Sequence, residues 1–81
     1  MFFGNFCPPC RMLKPILAGY QGDDYDVHFV DIEGNIKLAS QEGIRSVPTV
    51  YVYSGGSKVG GWRGYIPKNK IDTILEKIKG N

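Results

Sequence analysis

The order in which strand-like and helix-like patterns follow one another is the feature that most limits how this chain can fold. Four runs have the composition of strands: Met1–Phe3, Val27–Val30, Thr49–Tyr53 and Lys58–Trp62. Apolar spacing and end-capping residues predict helices over residues 8–20, 35–42 and 71–78. The predicted order of elements is therefore βαβαββα.

This order also predicts how the strands pair. A strand–helix–strand unit pairs its strands in parallel with a right-handed crossover. The turn Ser54–Ser57 predicts that the last two strands form an antiparallel hairpin. Helices must then cover the apolar faces of the sheet. We expect an α/β fold with a four-stranded mixed sheet and helices on both faces, with Asn35 capping the second helix and Gly43 ending it.

Size and charge exclude several classes of function. The chain has 81 residues, of which 42% are hydrophobic, so residues 1–81 are predicted to form a single domain around one core. A net charge of +2 is too small to indicate nucleic-acid binding. No apolar run approaches the ~20 residues that a membrane span needs. Because Cys7 comes too early for a signal peptide to be complete, we expect a cytoplasmic protein.

Both cysteines lie in the stretch Cys7-Pro8-Pro9-Cys10, at the junction between the first strand and the first helix. Proline suits the first turn of a helix, and two of them stiffen the loop between the thiols. The positive end of the helix stabilises a thiolate at Cys7 and lowers its pKa, and the charge of Arg11 acts in the same direction. Cys10 lies one turn further, close enough to form a disulfide. The motif therefore predicts a redox switch.

Two other interpretations of the motif are weaker. Tetrahedral zinc needs four ligands, and the chain offers only His28 besides the two cysteines, in a predicted buried strand. We therefore expect no metal. A purely structural disulfide is also disfavoured, because so short a loop removes little entropy from the unfolded chain.

The chain resembles the thioredoxins, shortened to the core that the glutaredoxins also share. The resemblance covers essentially the whole chain. It rests on these features: Phe6 before the CPPC motif, Arg11 after it, Pro15 in the helix, GIRSVPT at 43–49, the glycine hairpin and Gly64 before the last helix. In this family, the proline that matches Pro48 is cis and faces the cysteines.

The resemblance implies a role for each matching residue. Cys7 and Cys10 would be catalytic and would form the redox disulfide. Substrate would be bound by Val47, Pro48 and Gly64, and the site would be shaped by Phe6, Pro8, Pro9 and Arg11.

The sequence departs from the family pattern at three positions. The buried aspartate of thioredoxins would fall at Met1, and its lysine partner would fall near Val27 or Phe29. The tryptophan that often precedes the first cysteine is Phe6. We therefore expect water, or the two thiols alone, to carry the proton of the buried thiol.

The resemblance leaves three functions open. In the favoured one, Cys7 attacks a protein disulfide and Cys10 resolves the mixed disulfide. The partners would be disulfide-containing proteins and a thioredoxin reductase, the protein would be a monomer, and it would need no cofactor. The alternative is a glutaredoxin-type reductase that uses glutathione. Gly60-Gly61 faintly resembles the glutathione-site glycine pair, but Trp62 and Arg63 replace the acidic residues that follow it. A non-catalytic binding module ranks last.

Overall fold

The computed structural model describes residues 1–80 and has the predicted order of elements. The strands are β1 (Phe2–Phe3), β2 (Val30–Asp31), β3 (Thr49–Ser54) and β4 (Ser57–Arg63). The helices are α1 (Pro8–Ala18), α2 (Ile36–Gln41) and α3 (Lys68–Gly80). No helix within these 80 residues is both long enough and apolar enough to span a membrane.

The four strands form one mixed sheet in the order β2-β1-β3-β4. β1 runs parallel to β2, with Phe2 opposite Val30, and antiparallel to β3, with Phe2 opposite Thr49. β3 and β4 form the predicted hairpin, whose pairing shifts between Val52 and Tyr53. The mixed four-stranded sheet predicted from the sequence is therefore confirmed.

Helices pack on both faces of this sheet. On one face, α1 and α3 contribute the fully buried Leu13 and Ile71 to a cluster that also contains Val50 of β3. Burying each of these two side chains stabilises the fold by about 1.5–3 kcal/mol. On the other face, the Phe2 ring packs edge-to-face on Tyr51, with ring centroids 5.6 Å apart. The Tyr51 hydroxyl donates to the carbonyl of Glu42, at the end of α2.

The prediction of a strand over Val27–Val30 is largely wrong. Only Val30 and Asp31 form the strand that pairs with β1; of residues 27–29, which lie outside it, the His28 carbonyl accepts a hydrogen bond from the Met1 amino group at 2.7 Å. The Gln21 side chain accepts a hydrogen bond from the Val27 N–H at 2.6 Å, so this donor is taken by a side chain. His28 is exposed instead of buried, and its Nε2 lies 3.1 Å from Asp26 Oδ2.

The ends of the helices differ from the predictions in detail. α1 ends at Ala18, two residues before the predicted end. Asn35 precedes α2, but its side chain makes no cap hydrogen bond to the helix and donates to the Asp31 carbonyl at 3.0 Å. Gly43 adopts the left-handed conformation expected after α2, with φ of 69°.

Candidate active site

Cys7 is the N-cap residue of α1. Its backbone is extended (φ −136°, ψ 93°), and its carbonyl accepts the first backbone hydrogen bond of the helix, from the Arg11 N–H at 3.2 Å. Pro8 and Pro9 occupy the first two helical positions and have no N–H. The first free donor of the helix is therefore the N–H of Cys10, and it donates to Cys7 Sγ at 3.3 Å. The two prolines therefore leave the Cys10 N–H as the first donor of the helix, and this donor points at the sulfur of Cys7.

The two cysteines are joined by a disulfide, with their Cα atoms 5.2 Å apart. Both residues are buried, Cys7 with 6% and Cys10 with 3% of its surface exposed. They belong to the same cluster as Leu13, Val50 and Met1. The pair therefore lies at the boundary between the core and the loops that follow β1.

The loop before β3 packs beside the cysteines. The Val47–Pro48 peptide bond is cis, and the Pro48 side chain is fully buried. A Cβ atom on Gly4 would lie 3.4 Å from Val47 Cγ2, so the Val47 side chain lies close to the loop that leads to Cys7. The N–H of Gly64 donates to the Pro48 carbonyl at 2.7 Å. Val47, Pro48 and Gly64 are therefore brought together, as the resemblance implies.

Apolar side chains are exposed around the cysteines. Phe6, immediately before Cys7, has 93% of its surface exposed. Pro8 and Pro9 are exposed on the first turn of α1. Tyr65, which no sequence motif indicates, follows Gly64 and is 39% exposed. Exposed apolar groups of this kind, next to a buried reactive pair, are typical of a surface that another molecule covers.

A small cleft lies on the other side of Cys10. It has a volume of about 140 Å³ and is lined by Phe3, Gly4, Asn5, Cys10, Arg11 and Lys14. Several water molecules fit in such a volume. Lys14 Nζ lies 4.6 Å from the centroid of the Phe3 ring and 5.3 Å from that of Phe29. Lys14 could not be predicted as a site residue, because its helical position has the pattern of an ordinary solvated residue.

No buried ionisable side chain accompanies Cys10 within residues 1–80, where Thr49 is the buried polar residue. Met1, at the position where the resemblance places the aspartate, is buried in the cluster that contains both cysteines. Within the described residues, Cys10 is instead bordered by the cleft of about 140 Å³.

The glycine pair Gly60-Gly61 has a structural explanation. The two residues lie within β4, opposite Val52 and Tyr51. A Cβ on Gly61 would lie 2.2 Å from the Val50 carbonyl oxygen, and one on Gly60 would lie 2.8 Å from Ile78 Cδ1. The close approach of β4 to β3 therefore requires glycine at position 61, independently of any glutathione site, whereas a Cβ at position 60 would meet only the end of the Ile78 side chain.

A cysteine pair at the start of a helix, on a mixed sheet and beside a proline loop, defines a thiol–disulfide oxidoreductase. The chain belongs to the thioredoxin family, whose family model matches residues 1–77. Thioredoxin 1 of Nostoc sp. is 39% identical over 80 residues, which cover 94% of this chain and 74% of the relative. The thioredoxin of Mycoplasmoides gallisepticum is 35% identical over 77 residues, covering 93% of this chain and 77% of the relative.

Solved structures show the same likeness. A mutant thioredoxin from Halobacterium salinarum superposes with a TM-score of 0.85 at 29% identity, covering 95% of this chain and 69% of that one. Malassezia sympodialis thioredoxin gives a TM-score of 0.79 at 25% identity, covering 94% of this chain and 69% of that one. The thioredoxin fold predicted from the sequence is therefore confirmed.

Proposed function

We propose that this chain is a protein-disulfide reductase of the thioredoxin type, with Cys7 as nucleophile and Cys10 as resolving residue. In the reduced form, the Cys7 thiolate attacks one sulfur of a substrate disulfide. A Cys7–substrate disulfide forms, and the other substrate sulfur leaves as a thiolate that takes up a proton. Cys10 then loses its proton and attacks Cys7 Sγ, which releases the second substrate thiol. The two electrons that reduce the substrate come from the dithiol, which becomes the Cys7–Cys10 disulfide.

The observation that carries this assignment is the cap geometry of Cys7. Its sulfur accepts the Cys10 N–H at 3.3 Å and lies at the positive end of an 11-residue helix. Both interactions favour a negative charge on sulfur, so we expect the pKa of the reduced Cys7 thiol to lie below the ~8.5 of a free cysteine. Cys10 is one turn inside the helix and more deeply buried, which favours its neutral thiol until the resolving step.

A polypeptide is the substrate that best fits the surroundings of the pair. The exposed Phe6 provides an apolar contact next to Cys7. Val47 has no backbone hydrogen bond to another residue within the described part of the chain, so its N–H and carbonyl are available to an extended segment. Pairing of this kind is a form of strand addition. Since relatives of the chain are thioredoxins, we propose a thioredoxin reductase as the electron donor.

The test is a trapping experiment with Cys10→Ser, which removes the resolving thiol but keeps Cys7. Reaction with a cell extract should accumulate mixed disulfides between Cys7 and proteins, and a reductant should release them. The double variant Cys7→Ser/Cys10→Ser is the control and should trap nothing. The wild type should reduce a protein disulfide when a thioredoxin reductase supplies electrons.

Two outcomes would replace the proposal. If the trap holds chiefly glutathione, and glutathione alone sustains turnover, the chain is a glutaredoxin-type reductase. If neither proteins nor glutathione are trapped, and both thiols fail to react with small disulfides, the chain is a binding module with this fold.

A further inference from the structure

All three arginines of the chain lie at one end of the sheet. Arg11 is in the first turn of α1, Arg45 is in the loop between α2 and β3, and Arg63 is the last residue of β4. These segments are far apart in sequence, and each carries one exposed arginine. The end of the sheet on which they meet is the end that carries the cysteine pair.

Backbone contacts place each arginine next to the site. The Arg11 N–H donates to the Cys7 carbonyl at 3.2 Å. Arg63 pairs with Thr49, directly after Pro48 in the chain. Arg45 precedes Ser46, whose carbonyl accepts the Thr49 hydroxyl at 2.7 Å. The three arginines therefore surround the loop of Pro48 and the start of α1.

None of the three guanidinium groups forms an ion pair or a side-chain hydrogen bond within residues 1–80. The salt bridges of lysines in this part of the chain lie elsewhere, between Lys68 and Asp72 and between Lys79 and Asp24. An exposed guanidinium without a carboxylate keeps its donors free for a ligand. The arginines are therefore not needed to neutralise the protein's own acids.

The acidic side chains near this end are Asp31 and Glu33, which follow β2. Each is engaged locally: Asp31 Oδ1 accepts the Glu33 N–H at 2.9 Å, and Glu33 Oε2 accepts from the Asn5 side chain at 3.3 Å. Asp23, Asp24 and Asp26 lie in the segment before β2, and so at the opposite end of the sheet. The carboxylates of Asp31 and Glu33 stay charged, but Arg11, Arg45, Arg63 and Lys14, which lines the cleft at Cys10, outnumber them around the cysteines.

We propose that this arginine rim, defined as Arg11, Arg45 and Arg63, selects disulfides that are flanked by acidic residues in an extended polypeptide. Guanidinium groups bind carboxylates with two parallel hydrogen bonds, and uncompensated charge around a site speeds the approach of an oppositely charged partner. Val47, two residues after Arg45, has no backbone hydrogen bond within residues 1–80, and Phe6, immediately before the first cysteine, has an exposed ring; both features favour a polypeptide as the acidic partner. The inference rests on the proposed reductase activity and adds its substrate class.

The test uses three synthetic peptides with the same intramolecular disulfide, flanked by Glu, Gln or Lys. The rate at which each oxidises the reduced wild-type protein is measured at low salt. The Glu peptide should react about tenfold faster than the Gln peptide, the product of three exposed ion pairs of roughly twofold each. The Lys peptide should be slowest. The differences should shrink as salt shortens the range of the interaction from about 10 Å at 0.1 M to about 3 Å at 1 M.

Two charge-matched variants assign the effect. Arg11→Gln/Arg45→Gln/Arg63→Gln should bring the Glu-to-Gln rate ratio close to one. Lys58→Gln/Lys77→Gln/Lys79→Gln removes the same charge from exposed positions at the other end of the sheet and should keep the ratio. The double variant Arg45→Gln/Arg63→Gln keeps Arg11, which is next to Cys10. A smaller Glu-to-Gln rate ratio in this variant is therefore independent of any effect of Arg11 on the thiols.

Each other outcome overturns a distinct claim. Equal rates for the three peptides would refute acidic selection while leaving the reductase activity intact. A preference that survives in the arginine variant, or disappears in the lysine variant, would refute the arginine rim. If glutathione disulfide, assayed in parallel, reacts more slowly with the arginine variant while the Glu peptide does not, the selected ligand is a small anionic disulfide and the polypeptide assignment is refuted. If no peptide reacts with any form of the protein, the proposed reductase function itself fails.

Discussion

Replacing Gly61 with alanine tests how closely the two longest strands are packed. The new Cβ would lie 2.2 Å from the Val50 carbonyl oxygen and 3.2 Å from the Tyr51 Cα, and both contacts are to backbone. Removing these overlaps requires β4 to move away from β3 by about an ångström. This movement disturbs the pairing from Thr49–Arg63 to Val52–Gly60. The φ of Gly61 is 157°, a value that L-residues rarely adopt.

We expect Gly61→Ala to lower the free energy of unfolding by several kcal/mol. Overpacking costs about 1–3 kcal/mol, and the backbone conformation adds roughly 1–3 kcal/mol. A chain of this length has a total stability of roughly 4–12 kcal/mol. The variant should therefore be partly unfolded at room temperature, or should unfold at a much lower urea concentration than the wild type.

Urea denaturation followed by circular dichroism measures this loss. Gly22→Ala is the matched control, because its Cβ would have nothing closer than the Tyr20 carbonyl at 4.0 Å. The control should be neutral or more stable by up to about 1 kcal/mol, since alanine restricts the unfolded chain. If Gly61→Ala lost less than about 0.5 kcal/mol, like an ordinary surface change, the close strand approach would be wrong.

Two further predictions concern α1 and its link to α3. Leu13→Ala should cost about 2–5 kcal/mol, because Leu13 is fully buried, whereas Met12→Ala, at a site 56% exposed, should cost far less in the same urea titration. Equal losses would contradict the assigned helix face. Burial, with the hydrogen bond to Asp72, raises the pKa of Tyr20 to about 12. The raised pKa means that the neutral Tyr20 stabilises the folded state. This contribution is present below the ordinary phenol pKa of 10.0 and is lost as the pH rises towards 12. Hydrogen bonds from Tyr20 and Lys68 lower the pKa of Asp72, so its contribution is present above 3.8 and is lost at lower pH. Tyr20→Phe should reduce the loss of unfolding free energy at alkaline pH. Asp72→Asn should reduce the loss at acid pH. Unchanged slopes of the unfolding free energy against pH would contradict the pairing.

The order of elements followed from the sequence because local patterns determine it. β3 and β4 are marked by aromatic and β-branched residues around a glycine turn, and α1 by a starting proline. The segment 27–29 has an equally apolar pattern but lies outside the sheet. Its one backbone contact with the start of β1 is the hydrogen bond from the Met1 amino group to the His28 carbonyl at 2.7 Å, and the Val27 N–H donates to the Gln21 side chain. Hydrophobic periodicity carries no information about a hydrogen bond of that kind.

The site was predictable to the extent that it depends on motifs. The positions of the cysteines, both prolines and the loop of Pro48 could be inferred from the stretches CPPC and GIRSVPT. Lys14 could not, because its position over Phe3 and Phe29 depends on how α1 packs against β1 and the residues before β2. The grouping of Arg45 and Arg63 likewise depends on the register between β3 and β4, since the pairing of Arg63 with Thr49 and the hydrogen bond from the Gly64 N–H to the Pro48 carbonyl bring Arg63 beside Pro48.

The cap of α1 makes one backbone amide a natural reporter of the catalytic cycle. The N–H of Cys10 points at the sulfur of Cys7, and the two residues before it have no amide proton. In an NMR spectrum this proton is the first amide signal of the helix, and its chemical shift follows the charge on the sulfur that it contacts. Thiolate, mixed disulfide and internal disulfide should give three separate positions for one resonance. The occupancy of each intermediate can then be followed during turnover without a reporter group attached to either partner.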